Sequence, residues 1–157
     1  MKPAILLAAL AGLAIPLGVP SAHAQAAAVV TKQYDDGGVY EGTFRNGLQH
    51  GRGTYTLPSG YRYEGDWVDG EVRGMGRATY PNGSVYEGQF ENGKPHGKGK
   101  ITYADGGTYE GDWVGGEITG QGRATYANGS TYEGGFEKAL HHGKGLLSQP
   151  DGYRYDG

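Results

Sequence analysis

An all-β fold, a single elongated twisted antiparallel meander of stacked β-hairpins, is what this sequence predicts, and three observations carry the expectation. A tyrosine recurs every 23 residues, at Tyr40, Tyr63, Tyr86, Tyr109, Tyr132 and Tyr155, and the first five of these open Tyr-Glu-Gly. Two turn signals fall in each unit, which means two strands per unit. Glycines and aromatic residues hold fixed places within the period, an order that disordered chains lack.

Taken from the N-terminus, residues 1–24 read as a signal peptide. Lys2 supplies a positive start, Ala4 to Leu17 is apolar, and Ala22-His23-Ala24 has the small-x-small pattern of a cleavage site. The apolar stretch is broken by Gly12 and Pro16 and falls short of the ~20 residues of a spanning helix. Export to a bacterial periplasm, or secretion, is expected, with no transmembrane span after cleavage. Loss of the one cation Lys2 takes the formal charge from -3 to -4. The remaining cations are interspersed with carboxylates, which disfavours nucleic acid as a partner because such binding rests on a concentrated basic patch. No cysteine is present, so backbone pairing and packing must supply the stability.

Residues 25–33 read as a tether or a first edge strand. Residues 34–39 form a partial unit, followed by full units 40–62, 63–85, 86–108, 109–131 and 132–154, and residues 155–157 open another. Counting each unit from its tyrosine, positions 2 and 3 are Glu and Gly, position 5 is Phe or Trp, and glycines return at positions 8, 12 and 14. A 46-residue rhythm overlies this one: units two and four share Asp-Trp-Val, while units one, three and five carry Phe and a His-Gly-Lys/Arg-Gly run.

The first turn signal is Asn46-Gly47 and its equivalents, and the second is Pro81-Asn82-Gly83 and its equivalents. Between them strand A is expected at positions 22 to 5 and strand B at roughly positions 12 to 18, in a sheet of about eleven strands. With strands ~4.8 Å apart, each unit advances the sheet by ~10 Å. Alternation puts positions 1, 3 and 5 of strand A on one face and the glutamate of position 2 on the other. Aromatic rings can then lie on bare glycine backbone, which explains why glycine is tolerated inside strands. On the wet face, position-2 glutamates can pair with cations across strands.

This pattern, Tyr-Glu-Gly-x-Phe/Trp-x-x-Gly-x-x-x-Gly-x-Gly in 23-residue units from Tyr34 to Gly157, resembles the MORN (membrane occupation and recognition nexus) repeat family. The resemblance implies a ribbon of stacked hairpins used for attachment or scaffolding, with phospholipid association or self-association as the family's proposed activities. Two features depart from the family's usual setting: no catalytic domain accompanies the repeats, and the signal sequence points away from the cytoplasm. In the last full unit Ala139 replaces the glycine of position 8 and Gln149 the tyrosine of position 18, as in an end-capping repeat.

Other chemistries are disfavoured. His50, His96 and His142 recur at position 11 of alternate units, ~19 Å apart, so one zinc ion cannot collect them. The position-2 glutamates stand ~10 Å apart in near-identical surroundings, whereas a catalytic acid and base need environments that separate their pKa values. Gly-x-Gly at positions 12 and 14 precedes no helix, so no dinucleotide loop is expected, and no serine lies in a nucleophile elbow. No catalytic residue, metal or cofactor is expected.

The aromatic stripe is the candidate ligand or partner surface: Tyr40, Phe44, Tyr63, Trp67, Tyr86, Phe90, Tyr109, Trp113, Tyr132 and Phe136. These rings either pack on glycine or offer stacking platforms. The favoured function is a non-catalytic exported scaffold for a protein partner or for self-association. The alternatives are a module for lipid headgroups or glycans of the envelope, and a non-catalytic part of a larger enzyme.

Overall fold

The computed structural model describes residues 27–157, so the signal-peptide reading of residues 1–24 lies outside the described residues. Twelve strands form one antiparallel sheet in chain order: β1 (Val30–Gln33), β2 (Val39–Arg45), β3 (Leu48–Thr56), β4 (Arg62–Val68), β5 (Glu71–Thr79) and β6 (Val85–Glu91). The order continues with β7 (Lys94–Thr102), β8 (Thr108–Val114), β9 (Glu117–Thr125), β10 (Thr131–Glu137), β11 (Leu140–Ser148) and β12 (Arg154–Asp156). The sheet is the expected meander with one strand more than the eleven anticipated. Val30–Gln33 is a short edge strand paired to β2, which resolves the tether-or-strand alternative for that segment.

The strands of each unit are shifted from their expected bounds. Strand A runs from position 23 to position 6, and strand B starts at position 9, directly after the tight turn. The turn geometry explains this early start: Asn46 and Gly47 both take positive φ, 51° and 77°, which reverses the chain in two residues and leaves Leu48 already paired with Arg45. At the corresponding turn of the last unit Lys138 and Ala139 take the same conformation, φ 49° and 64°, without a glycine.

Each hairpin also contains an irregularity that alternation does not foresee. Register shifts between Gly65 and Trp67, and at the same place in the other units, as strand B carries extra residues around the position-12 glycine. Gly74 sits there with φ 102°, a conformation that a side chain would strain. The amide freed by the bulge is recovered by the side chain of position 4: Asp66 accepts from the Met75 N–H at 3.0 Å, Gln89 from Lys98 at 2.7 Å and Asp112 from Gln121 at 2.8 Å. In units two to four position 4 is thus polar for a backbone reason, whereas unit five has Gly135 there.

The core is a stripe of rings laid over glycines. Position-3 and position-14 glycines face each other along the whole ladder, as in Gly53–Gly65, Gly65–Gly76 and Gly76–Gly88. A Cβ placed on Gly76 would come within 2.5 Å of the Tyr63 ring, and the same tyrosine-on-glycine contact recurs at Gly53, Gly99, Gly122 and Gly145. A single-layer sheet has no second layer to bury its apolar face, so removing side chains lets the rings pack down on the sheet itself.

The rings also contact one another edge to face, from Tyr40 to Trp67 (centroids 5.2 Å), Trp67 to Tyr63 (5.6 Å), Tyr63 to Phe90 (5.0 Å), and on through Tyr86, Trp113 and Tyr109 to Phe136 and Tyr132. Each such pair contributes about 0.5–1.5 kcal/mol beyond area burial. The 46-residue rhythm has a packing reading as well. Units with Trp at position 5 carry a buried alanine at position 16 (Ala78, Ala124), and units with Phe carry Tyr55, Ile101 or Leu147 there.

On the reverse face all five position-2 glutamates are exposed, opposite Thr54, Arg77, Lys100 and Arg123. Arg77 meets Glu87 at 3.2 Å across strands, as expected of register-setting surface pairs worth about 0–1 kcal/mol each.

Candidate docking groove on the aromatic face

Nine of the ten candidate rings are buried, and Phe44, in the first full unit, is half-buried. Their polar atoms are used internally. Each position-1 hydroxyl donates to the carbonyl of position 4 in its own strand: Tyr40 to Thr43 (2.9 Å), Tyr63 to Asp66 (2.8 Å), Tyr86 to Gln89 (2.7 Å), Tyr109 to Asp112 (2.9 Å) and Tyr132 to Gly135 (3.1 Å). The indole N–H of Trp67 donates to the Gly53 carbonyl at 3.2 Å, and that of Trp113 to the Gly99 carbonyl at 3.0 Å. Burial raises the pKa of the Tyr40, Tyr63, Tyr86 and Tyr109 phenols, strongly for Tyr63 and Tyr86 and to about 12 for Tyr109. An ionised phenol would lose both its hydrogen bond and its place in the core.

A second row of tyrosines, at position 18, runs beside the first. Tyr80, Tyr103 and Tyr126 begin the wider turns: the Tyr80 carbonyl accepts from Gly83 N–H and its own N–H reaches the Ser84 carbonyl, and Tyr103 and Tyr126 repeat this. The turn fixes their backbone and leaves the rings standing at the margin of the sheet, where Tyr103 and Tyr126 are each 39% exposed. Tyr61 joins the row by packing on Tyr80 with centroids 5.8 Å apart. The hydroxyls of Tyr61, Tyr80 and Tyr103 make no hydrogen bond among the described residues. Burial raises all three pKa values, to about 12 for Tyr61, so these groups stay protonated donors through neutral pH.

Between this row and the tight turns lies a groove crossing the strands. One slot, about 590 Å³, lies between Tyr80 and Tyr103 over Ile101 and Trp113, with Lys94 and Pro95 on its far wall. The next, about 100 Å³, lies between Tyr103 and Tyr126 over Ile118, Ala124 and Phe136. The buried rings thus reach the surface as groove floor, at Trp113, Tyr109 and Phe136.

Sequence reasoning missed the outer row. Its tyrosines flank the turn signals, where strand alternation no longer says which way a ring points. Their recurrence at position 18 was the available signal.

Two of the position-11 histidines serve the backbone. His50 Nδ1 accepts from the Asp69 N–H and His96 Nδ1 from the Gly115 N–H, each at 3.2 Å, tying one hairpin to the turn of the next. His141 stacks on Tyr132 with centroids 3.6 Å apart and its Nε2 lies 2.6 Å from the Tyr126 hydroxyl. Among the described residues no three side chains gather as metal ligands, and no helix is long and apolar enough to cross a membrane.

A stretch of 53 residues is 42% identical to Alsin of Rattus norvegicus, covering 31% of this chain and 3% of that protein, so the chain spans a small part of that relative's length. Among solved structures, the SAS-4 (dCPAP) TCP domain of Drosophila melanogaster, in complex with a proline-rich motif of Ana2 (dSTIL), matches with TM-score 0.51 at 14% identity, over 82% of this chain and 70% of that one. The TCP10 domain of Danio rerio CPAP, in complex with a peptide of Danio rerio STIL, matches with TM-score 0.25 at 17% identity, over 81% of this chain and 67% of that one. Residues 40–60, 63–85, 86–108, 109–131 and 132–152 each match the MORN repeat, and with five consecutive copies the chain belongs to the MORN repeat family.

Proposed function

We propose that this chain is an exported, non-catalytic scaffold that attaches to a protein partner through the groove on its aromatic face. The observation that carries the reading is the contrast in saturation between the two faces. On the reverse face many charges are already matched by neighbours, as in Arg77–Glu87 and Arg52–Asp66. In the groove, part-exposed rings and free hydroxyl donors border two neighbouring slots that share Tyr103. The SAS-4 domain, similar in fold, is in complex with a proline-rich motif, which supports a peptide-docking role for a sheet of this kind. Export rests on the character of residues 1–24, and a periplasmic or secreted location follows from it.

The test is capture from the bacterial envelope with the tagged chain and with Tyr103→Ala. A partner retained by the parent chain and lost in the variant, at unchanged folding, supports the reading. A strictly monomeric chain that recovers nothing counts against it. Exposed tyrosines also suit a second reading, a glycan- or phospholipid-headgroup-binding module. Pelleting with cell-wall material or anionic vesicles, lost in Tyr103→Ala, would favour that reading over a protein partner. A third reading, a non-catalytic part of a larger protein, is consistent with the small share of Alsin that the match covers.

A further inference from the structure

The groove's slots repeat with the unit. Tyr80, Tyr103 and Tyr126 directly follow β5, β7 and β9, every second strand, so successive slots are separated by two strand spacings, ~9.6 Å. Any linear ligand lying along the groove has to match that step.

The regular peptide conformations differ in how well they do so. A β-strand returns a side chain to the same side every two residues, ~6.7 Å, and is out of step by the second slot. An α-helix advances ~5.4 Å per turn and falls between one and two turns per slot. A polyproline II helix has three residues per turn at ~3.1 Å each, a repeat of ~9.3 Å, which stays within ~0.3 Å of the slot spacing. Strand addition is also closed to a ligand here, because β5 to β10 are hydrogen-bonded on both sides.

Polar complementarity points the same way. A proline-rich segment lacks most backbone N–H groups and presents carbonyl oxygens outward. The first slot offers what such a ligand needs: the hydroxyls of Tyr61, Tyr80 and Tyr103 as donors, and Lys94, the one charged residue lining it and in no ion pair among the described residues, as a cation facing the negative ends of the carbonyl dipoles. The second slot, small and floored by Ile118, Ala124 and Phe136, is of a size for a single proline ring.

We propose that the partner docks as a proline-rich segment in the polyproline II conformation, with residues three apart seated in the slots between Tyr80, Tyr103 and Tyr126. The proposal rests on the protein-partner reading above and adds the partner's conformation and register. One turn of the ligand spans one repeat unit, so its successive turns stay in step with the two slots.

The experiment titrates the full chain with four synthetic peptides of equal length: one with prolines three apart, one with prolines two apart, one with prolines four apart, and a Gly-Ser control. Binding is followed by backbone NMR shifts and by Trp113 fluorescence in a Trp67→Phe background. The expected result is saturable binding that is tightest for the three-residue spacing, with shifts confined to the Tyr80, Tyr103, Tyr126 and Trp113 region. Tyr103→Ala is expected to weaken it at least tenfold at an unchanged unfolding transition, and Tyr103→Phe to weaken it less.

Equal binding of the three spacings overturns the register. Binding no better than Gly-Ser, or shifts confined to the reverse face or to β1, overturns the site. If no peptide binds but a soluble cell-wall oligosaccharide shifts the same tyrosines, the glycan reading replaces this one. If no peptide binds while envelope capture still depends on Tyr103, this proposal falls and the scaffold reading stands.

Discussion

The inner and outer tyrosine rows use one residue type at one 23-residue period for opposite ends. Tyr63, Tyr86 and Tyr109 are buried, lie on glycines and donate their hydroxyls to their own strand. Tyr80 and Tyr103, seventeen residues further along their units, hold a turn by their backbone and keep their hydroxyls for solvent or a ligand. The difference teaches that periodicity marks a residue as structurally equivalent from unit to unit without saying what it does. Neighbours decide that: the inner ring has a glycine beneath it and a position-4 carbonyl within reach, and the outer ring has neither.

Raising the pH tests the contrast most severely, because it acts on the whole inner row at once. The folded-state pKa values of Tyr63, Tyr86 and Tyr109 are raised by burial, so their contribution to stability is fully present below the ordinary phenol value of about 10 and is lost as pH rises through the folded-state values. Tyrosinate absorbance and far-UV circular dichroism followed together should show cooperative unfolding above about pH 10. Gradual ionisation of these phenols with the sheet intact would break the assignment of the inner row to the core.

Truncation comes next in size. Tyr86→Ala removes a fully buried ring that touches Phe90 and Trp113, and is expected to destabilise by about 3–5 kcal/mol in denaturant titration, the range for deleting a large core side chain. Tyr103→Ala, at the margin, is expected to stay within about 0.5 kcal/mol, as surface substitutions do. Similar losses in the two variants would erase the distinction between the rows.

The smallest effect isolates one hydroxyl. Tyr86→Phe keeps the ring and leaves the Gln89 carbonyl without its donor, for an expected loss of about 1 kcal/mol, whereas Tyr103→Phe is expected to leave the unfolding midpoint unchanged. A Tyr103→Phe variant as destabilised as Tyr86→Phe would reveal an internal partner for the outer hydroxyl.

The repeat, the two-strand unit and the facing of Tyr, Gly and Phe/Trp were legible in the sequence because each follows from local rules: turn residues that accept positive φ, and side chains that alternate along a strand. The bulge at position 12 was not legible. It is visible as a glycine, yet only the paired strand reveals that Asp66, Gln89 and Asp112 are placed to recover the amide it frees. The position-11 histidines are too far apart for one metal ion, and what they do instead was not legible: His50 and His96 accept hydrogen bonds from the turn of the next hairpin, a contact 19 residues away in sequence that requires the stacking to exist.

By itself the sequence determined the family, the strand count to within one, and the composition of the buried stripe, since a 23-residue pattern of turn pairs and glycines admits little besides stacked hairpins. Tertiary structure alone decided which tyrosines are core and which are surface, and that the latter border slots one unit apart. The physical reason is that a ring's exposure depends on the strand beside it: a glycine opposite lets the ring lie flat and vanish, and a turn beneath it holds the ring at the rim.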